Sequence, residues 1–205
     1  MRPSDKISCE GFPCTDVNHE SYLIPDVTVD PAQISAVLIS EAAPPNKSDY
    51  YYASTNPLFA QTTVQAFRDA GASVTNVADI LRLGIYLTTA VKCGKTGYAV
   101  ATQTTRTCSV LLKQELALFP NLRVLLLMGD VAIRAINDIA RQDGLPRVVP
   151  AGSTYKIRDG LFYYRGIRAL PSYLQAGPSF FIEKSKRKMI AQDIRTALDL
   201  ISQTL

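Results

Sequence analysis

Residues 123–128 read RVLLLM, an apolar run without alternation. An amphipathic strand with one wet face would alternate, so this run predicts a strand buried on both sides. Residues 34–39 (ISAVLI) make a second such run, and residues 85–91 give a third strand. A strand covered on both faces needs helices above and below it, and the intervening stretches carry the helical period. Residues 58–70 read as a helix with Gly71 as its C-cap. Residues 105–119 place Cys108, Leu111, Leu112, Leu116 and Phe119 on one face. After Gly129, Asp130 is positioned to cap a helix with Ala132, Ala135, Ile136, Ile139 and Ala140 as its stripe, ended by Gly144 and Pro146. Residues 184–205 turn Ile190, Ile194, Ala197, Leu198 and Ile201 inward, and residues 154–169 read as a hairpin around Asp159-Gly160. Strands alternating with helices predict an α/β fold with a mostly parallel sheet covered on both faces.

The chain of 205 residues, 47% hydrophobic and 20% charged, is expected to form a single domain over residues 1–205 and to bury its core without disulfide staples. Residues 1–33 form an irregular N-terminal segment, interrupted by Pro3, Gly11, Pro13, Pro25 and Pro31. No run approaches 18 apolar residues and residues 1–10 lack a signal-peptide core, so the expectation is a soluble, cytoplasmic monomer with no membrane partner. The single histidine, His19, excludes His-rich zinc sites and argues against a Ser-His-Asp triad. The net charge of +4 is matched by one cluster: Lys184, Lys186, Arg187 and Lys188.

In a parallel sheet ligands gather at the carboxyl ends of strands, and the unusual residues fall in the loops expected there. Cys9, Cys14, Cys93 and Cys108 are four thiols in a chain without an export signal; they read as ligands of an iron–sulfur cluster or an all-thiolate zinc, or as small buried hydrophobes. Glu41, at the end of the first strand, can hold or activate a water, or cap a helix. Phe59, in the run NPLF, can stack on a flat ligand such as a base, or fill core. Residues 170–174 (LPSYL) form a rigid turn able to approach a phosphodiester, with the KSKRK cations to neutralise it; those cations otherwise make a solvated helix face.

Taken in order, these residues resemble one family. Strand-SEAAPP, NPLF, YLTTAVKC, a cysteine fifteen residues on heading LLKQELALFPNLRVLLLMGDVAI, then LPSYL and a basic helix, are similar to the iron–sulfur branch of the uracil-DNA glycosylase superfamily. That branch reads GE(G/A)PG, PF, ITNIVKC, a second cysteine before a strand ending in LG, and HPSYL. The likeness spans about residues 9 to 190. It implies a three-layer α/β/α domain with a central four-stranded, mostly parallel sheet. It also implies a 4Fe–4S cluster on Cys9, Cys14, Cys93 and Cys108, with zinc as the alternative occupant. The activity implied is base excision from DNA: a damaged, deaminated base is flipped out and its N-glycosidic bond hydrolysed. Glu41 would position the water, and Ala42, Phe59 (or Leu58), Thr89, Leu170 and Ser172 would line the base pocket. Ser172, Tyr173, Lys184, Lys186, Arg187 and Lys188 would contact DNA.

Three departures bear on the chemistry. Thr89 replaces the asparagine that reads the uracil edge, and a hydroxyl cannot make the paired donor–acceptor contact. Leu170 replaces the histidine that donates to the departing base, and losing such a donor typically costs on the order of 100- to 1000-fold in rate. Cys9-x4-Cys14 replaces a closer pair. Backbone amides of the Ala42 to Pro45 loop, where the prolines give none, or the Ser172 hydroxyl, would then face the leaving-base charge, and uracil gives way to a lesion with a better leaving group, such as a deaminated purine. The alternative reading keeps fold and cluster but binds DNA or a nucleotide without excision. A third makes the chain a four-cysteine zinc protein, or a cluster-free α/β protein, with a small-molecule pocket.

Overall fold

In the computed structural model, which describes residues 1–203, the strands in chain order are β1 (Val17–Asn18), β2 (Ala36–Ala43), β3 (Ile85–Lys95), β4 (Val124–Met128), β5 (Phe162–Tyr164) and β6 (Ile167–Ser172). They form one sheet in the order β1-β3-β2-β4-β6-β5. The two uninterrupted apolar runs lie side by side at its centre, with Ala36 opposite Val124 and Ile39 opposite Leu127. The four strands β3, β2, β4 and β6 pair in parallel, while β1 and β5 join antiparallel at the two edges. The fold is therefore α/β with a six-stranded mixed sheet rather than a four-stranded one. The two added strands are two and three residues long, too short to show a period, and they cover edges that would otherwise offer unpaired backbone groups.

The helices are α1 (Leu58–Asp69), α2 (Val77–Arg82), α3 (Thr102–Leu116), α4 (Asp130–Gln142), α5 (Thr154–Ile157), α6 (Ser179–Ile182) and α7 (Lys184–Ser202). Alternate residues of each central strand feed opposite cores. Val37, Ile39, Leu125 and Leu127 pack with Leu112 of α3 and Ile136 of α4. Ala36, Leu38, Val124 and Leu126 pack with Phe67 of α1, Ile80 of α2 and Ile194 of α7. This is why the strand runs show no polar face.

Several boundaries differ from expectation. α3 starts at Thr102, ahead of position 105, because Asp16 accepts from the Ala101 N–H at 2.8 Å and from the Thr104 hydroxyl and so caps it from a distance. Gly129, at φ +98°, is the N-cap of α4, and Asp130 is its first residue. The hairpin turns at Arg165-Gly166, both at positive φ, as a tight two-residue turn demands; Asp159-Gly160 instead follows the short α5. β2 and β3 extend through Ala43 and Lys95, so Glu41, Lys92 and Cys93 stand in strand rather than loop. Gly71 does close α1 in a left-handed conformation, with Ala72 N–H bonded to Phe67 O at 3.0 Å. The expected run of α7 to residue 205 ends outside the described residues. No helix among the described residues is long and apolar enough to cross a membrane.

Candidate functional site

The four cysteines come from three remote stretches and line one cavity of about 230 Å³. Cys93 stands near the end of β3 and Cys108 in α3, both buried. The N-terminal segment brings the other two. Gly11 (φ +66°) and Phe12 (φ +41°) form a left-handed turn between Cys9 and Cys14, and a non-glycine residue keeps that conformation only where its surroundings impose it. The segment is held down by β1, whose Val17 and Asn18 pair with Lys95 and Gly94, and by Asp16 at the start of α3. Those same bonds, from the Thr104 hydroxyl first and the Ala101 N–H second, hold the Asp16 carboxyl below its usual range.

All four thiols are free of disulfides. Burial, then the neighbouring cysteines, pushes Cys93 up to about 12; burial pushes Cys108 up to about 11 against the opposing pull of the Lys92 N–H, which donates to its sulfur at 3.2 Å. Burial raises Cys14 as well. Four thiolates can coexist here only around a cation that offsets their repulsion, and an all-sulfur donor set suits iron–sulfur clusters or zinc. A single zinc at about 2.3 Å from each sulfur draws its ligands to within about 4 Å of one another. Among the described residues no three cysteine, histidine or carboxylate side chains are gathered so as to hold one ion, although all four cysteines line the same cavity.

Beside the cavity lies a buried charge pair that sequence reading passed over. Lys92 and Glu115, both fully buried, meet at 2.5 Å, and Tyr86 and Thr88 donate to the Glu115 carboxylate at 2.7 and 3.0 Å. Its signal was present: Glu115 falls inside the apolar stripe of α3, between Leu112 and Leu116.

Of the residues expected to form a base pocket, Glu41, Ala42, Leu170 and Ser172 occupy the carboxyl halves of β2 and β6, Thr89 lies in the middle of β3, and Phe59 is on α1. Glu41 is half-buried on β2, 3.5 Å from Lys95 Nζ, and lies over Gly129, where a Cβ would come within 2.7 Å of its Oε1. Ala42 is buried beside it. Phe59 stands in the first turn of α1 with its ring centroid 5.4 Å from that of Tyr51. Thr89 is fully buried and donates to Val91 O at 2.9 Å. Leu170 is buried on β6 among the α7-side core residues. Ser172 is fully buried, and its hydroxyl donates to Asp193 of α7 at 2.5 Å, itself paired with Arg158 at 2.7 Å. Behind this row runs a second unforeseen network, in which Gln175 donates to Tyr51 at 2.9 Å and Thr63 at 3.1 Å and exchanges bonds with Ser40. A larger cavity of about 670 Å³ lies between α1 and α2, against Asn56, Gln61 and Asn76, and includes none of the expected pocket residues.

The cationic start of α7 is partly neutralised. Arg187 grips Asp69 at 2.5 and 2.9 Å, and Lys186 pairs with Glu183 while lying 5.5 Å over the Tyr173 ring. Lys184 and Lys188 are exposed and make no ion pair among the described residues. Tyr98 is fully exposed beyond β3, 5.8 Å from Lys95 Nζ.

Comparison of the sequence with protein-family models and with curated proteins finds no match.

Proposed function

We propose that the chain is a cluster-bearing DNA glycosylase-like protein, akin to the iron–sulfur branch of the uracil-DNA glycosylase superfamily, with the parallel strands β3, β2, β4 and β6 as that family's four-stranded sheet. One observation carries the reading: Cys9, Cys14, Cys93 and Cys108, in the order the resemblance requires, line a single cavity. They would hold a 4Fe–4S cluster, which when bound supplies a cross-link between the N-terminal segment, β3 and α3. Glu41 lies at the same end of the sheet, with a carboxylate positioned to orient a water for attack on the sugar carbon as the base departs. The departing base receives no help from Leu170, and Thr89 and Ser172 have hydroxyls committed within the protein. A lesion with a good leaving group, such as a deaminated purine, is the substrate class that this reading favours. DNA is the partner, met by Lys184 and Lys188 at the head of α7.

The same two committed hydroxyls favour a second reading, in which the domain binds DNA and excises nothing. A panel of uracil-, hypoxanthine- and xanthine-containing oligonucleotides, assayed with the anaerobically purified protein and its Glu41→Gln variant, separates the two. Cleavage of at least one lesion, lost in the variant by about 100-fold or more, supports excision. Salt-dependent binding with no abasic product supports the second reading.

A further inference from the structure

At the thiol-lined cavity the Tyr22 hydroxyl and His19 Nε2 are both out of reach of solvent; the Cys9 N–H acts on the Tyr22 oxygen as a donor, which leaves the Tyr22 O–H without an acceptor, and His19 Nε2 has no partner. Buried polar groups without partners are rare because each forfeits its hydration for nothing. Two of them on one cavity wall point to an acceptor that belongs there. Their placement is fixed rather than incidental. The Asn18 carbonyl oxygen of the side chain caps the turn His19–Ser21 by accepting from the Glu20 N–H at 3.0 Å. Phe12 sits 5.2 Å from the His19 ring and 5.1 Å from the Tyr22 ring, edge-on to the latter. The backbone N–H of Leu23 is bonded to Lys92 O at 2.8 Å, tying the turn to β3. Tyr22 and His19 line the same cavity as Cys9, Cys14, Cys93 and Cys108. The chain already aims one donor at a ligand sulfur, the Lys92 N–H on Cys108.

We infer that Tyr22, through its O–H, and His19, through an Nε2–H, donate hydrogen bonds to the sulfurs of the cluster and so set its reduction potential. The inference rests on the cluster reading above. A donor on a cluster sulfur stabilises the state with the greater negative charge, which is the reduced one, and raises the potential. Tyr22 and His19 are positioning residues for the redox behaviour of the site, outside the ligand set.

The test uses the anaerobically purified holoprotein. Iron and acid-labile sulfide are measured first, then the midpoint of the one-electron couple, by titration with dithionite followed by visible absorbance and electron paramagnetic resonance. Tyr22→Phe and His19→Phe should keep the wild-type iron content and shift the midpoint to more negative values, and His19→Gln, whose amide can donate, should recover most of the shift. Midpoints equal to wild type at full iron content overturn the inference while leaving the cluster reading intact. A wild-type protein without iron overturns both. Should the variants lose iron, the wild type decides alone: proton couplings that exchange in D2O, beyond the one from the Lys92 amide, support the inference in the reduced protein's electron–nuclear double resonance spectrum, and their absence overturns it.

Discussion

Lys92 shows how much one residue can carry. A lysine in the middle of an apolar strand is tolerable only with its charge answered, and Glu115 answers it inside a shell of Thr88, Thr89 and Tyr86. Taking away one member strands the other in a medium that cannot solvate it. Lys92→Met should therefore lose about 3–5 kcal/mol in urea unfolding, whereas Lys92→Met combined with Glu115→Leu should recover most of that; an additive double variant would show that the pair is not coupled. At Gly129 the constraint is conformational, for φ +98° excludes a side chain and the Glu41 carboxylate lies where a Cβ would go. Gly129→Ala should cost about 1–3 kcal/mol by the same measurement. The legibility of these positions was uneven. Residue type singles out the four cysteines as a set, and they line one cavity; the place of Glu115 in the apolar stripe of α3 marks it as inward, but nothing in the spacing names Lys92 on β3 as its partner.

Among the elements, the long ones announced themselves and the short ones did not. α1, α4 and the central strands carry enough turns or pleats for a period to emerge; α2, at six residues, is held by its capping box instead, with Asn76 accepting from the Asp79 N–H and Asp79 answering back. Asn76→Ala should destabilise by about 1 kcal/mol, seen as a lowered urea midpoint at unchanged slope. The hairpin was misplaced because two dipeptides ending in glycine compete, and only their φ angles, which no composition rule supplies, choose between them. Asp143, at the end of α4, ties three elements together: Lys113 of α3 and Tyr164 of β5 bond to its carboxylate, and Arg165 pairs with it at 3.1 Å. The Lys113 bond first, then that from Tyr164, lowers its pKa below the ordinary 3.8. A depressed carboxylate lends stability that is complete above the unfolded value and is lost as pH falls through the folded one. Acid unfolding below about pH 4 should consequently be less steep in Asp143→Asn, and an unchanged acid limb would remove Asp143 from that role.

For the molecule as a whole, the α/β class followed from unalternating strands between amphipathic helices, but the edges did not, because an edge strand of two residues has no pattern to read. The proposed likeness to one glycosylase branch concerns the cysteines and the strand ends, and it says nothing of Ser172 facing Asp193 or of Arg187 clasped by Asp69. These contacts leave Lys184 and Lys188 as the cations of the cluster without an ion pair among the described residues. If both touch phosphate, exchanging them for glutamine should flatten the slope of log affinity against log salt by about 0.9 per lysine, and an unaltered slope would place DNA elsewhere. The separation of the sulfurs along the chain also sets a timetable for the nascent polypeptide. Cys9 and Cys14 leave the ribosome long before β3 and α3 have been synthesised, so the pair waits as reduced, exposed thiols while β2 acquires its neighbour. If these thiols hold the proposed cluster, iron can be delivered only after the central strands have paired, and the newborn chain is most open to oxidation in that interval.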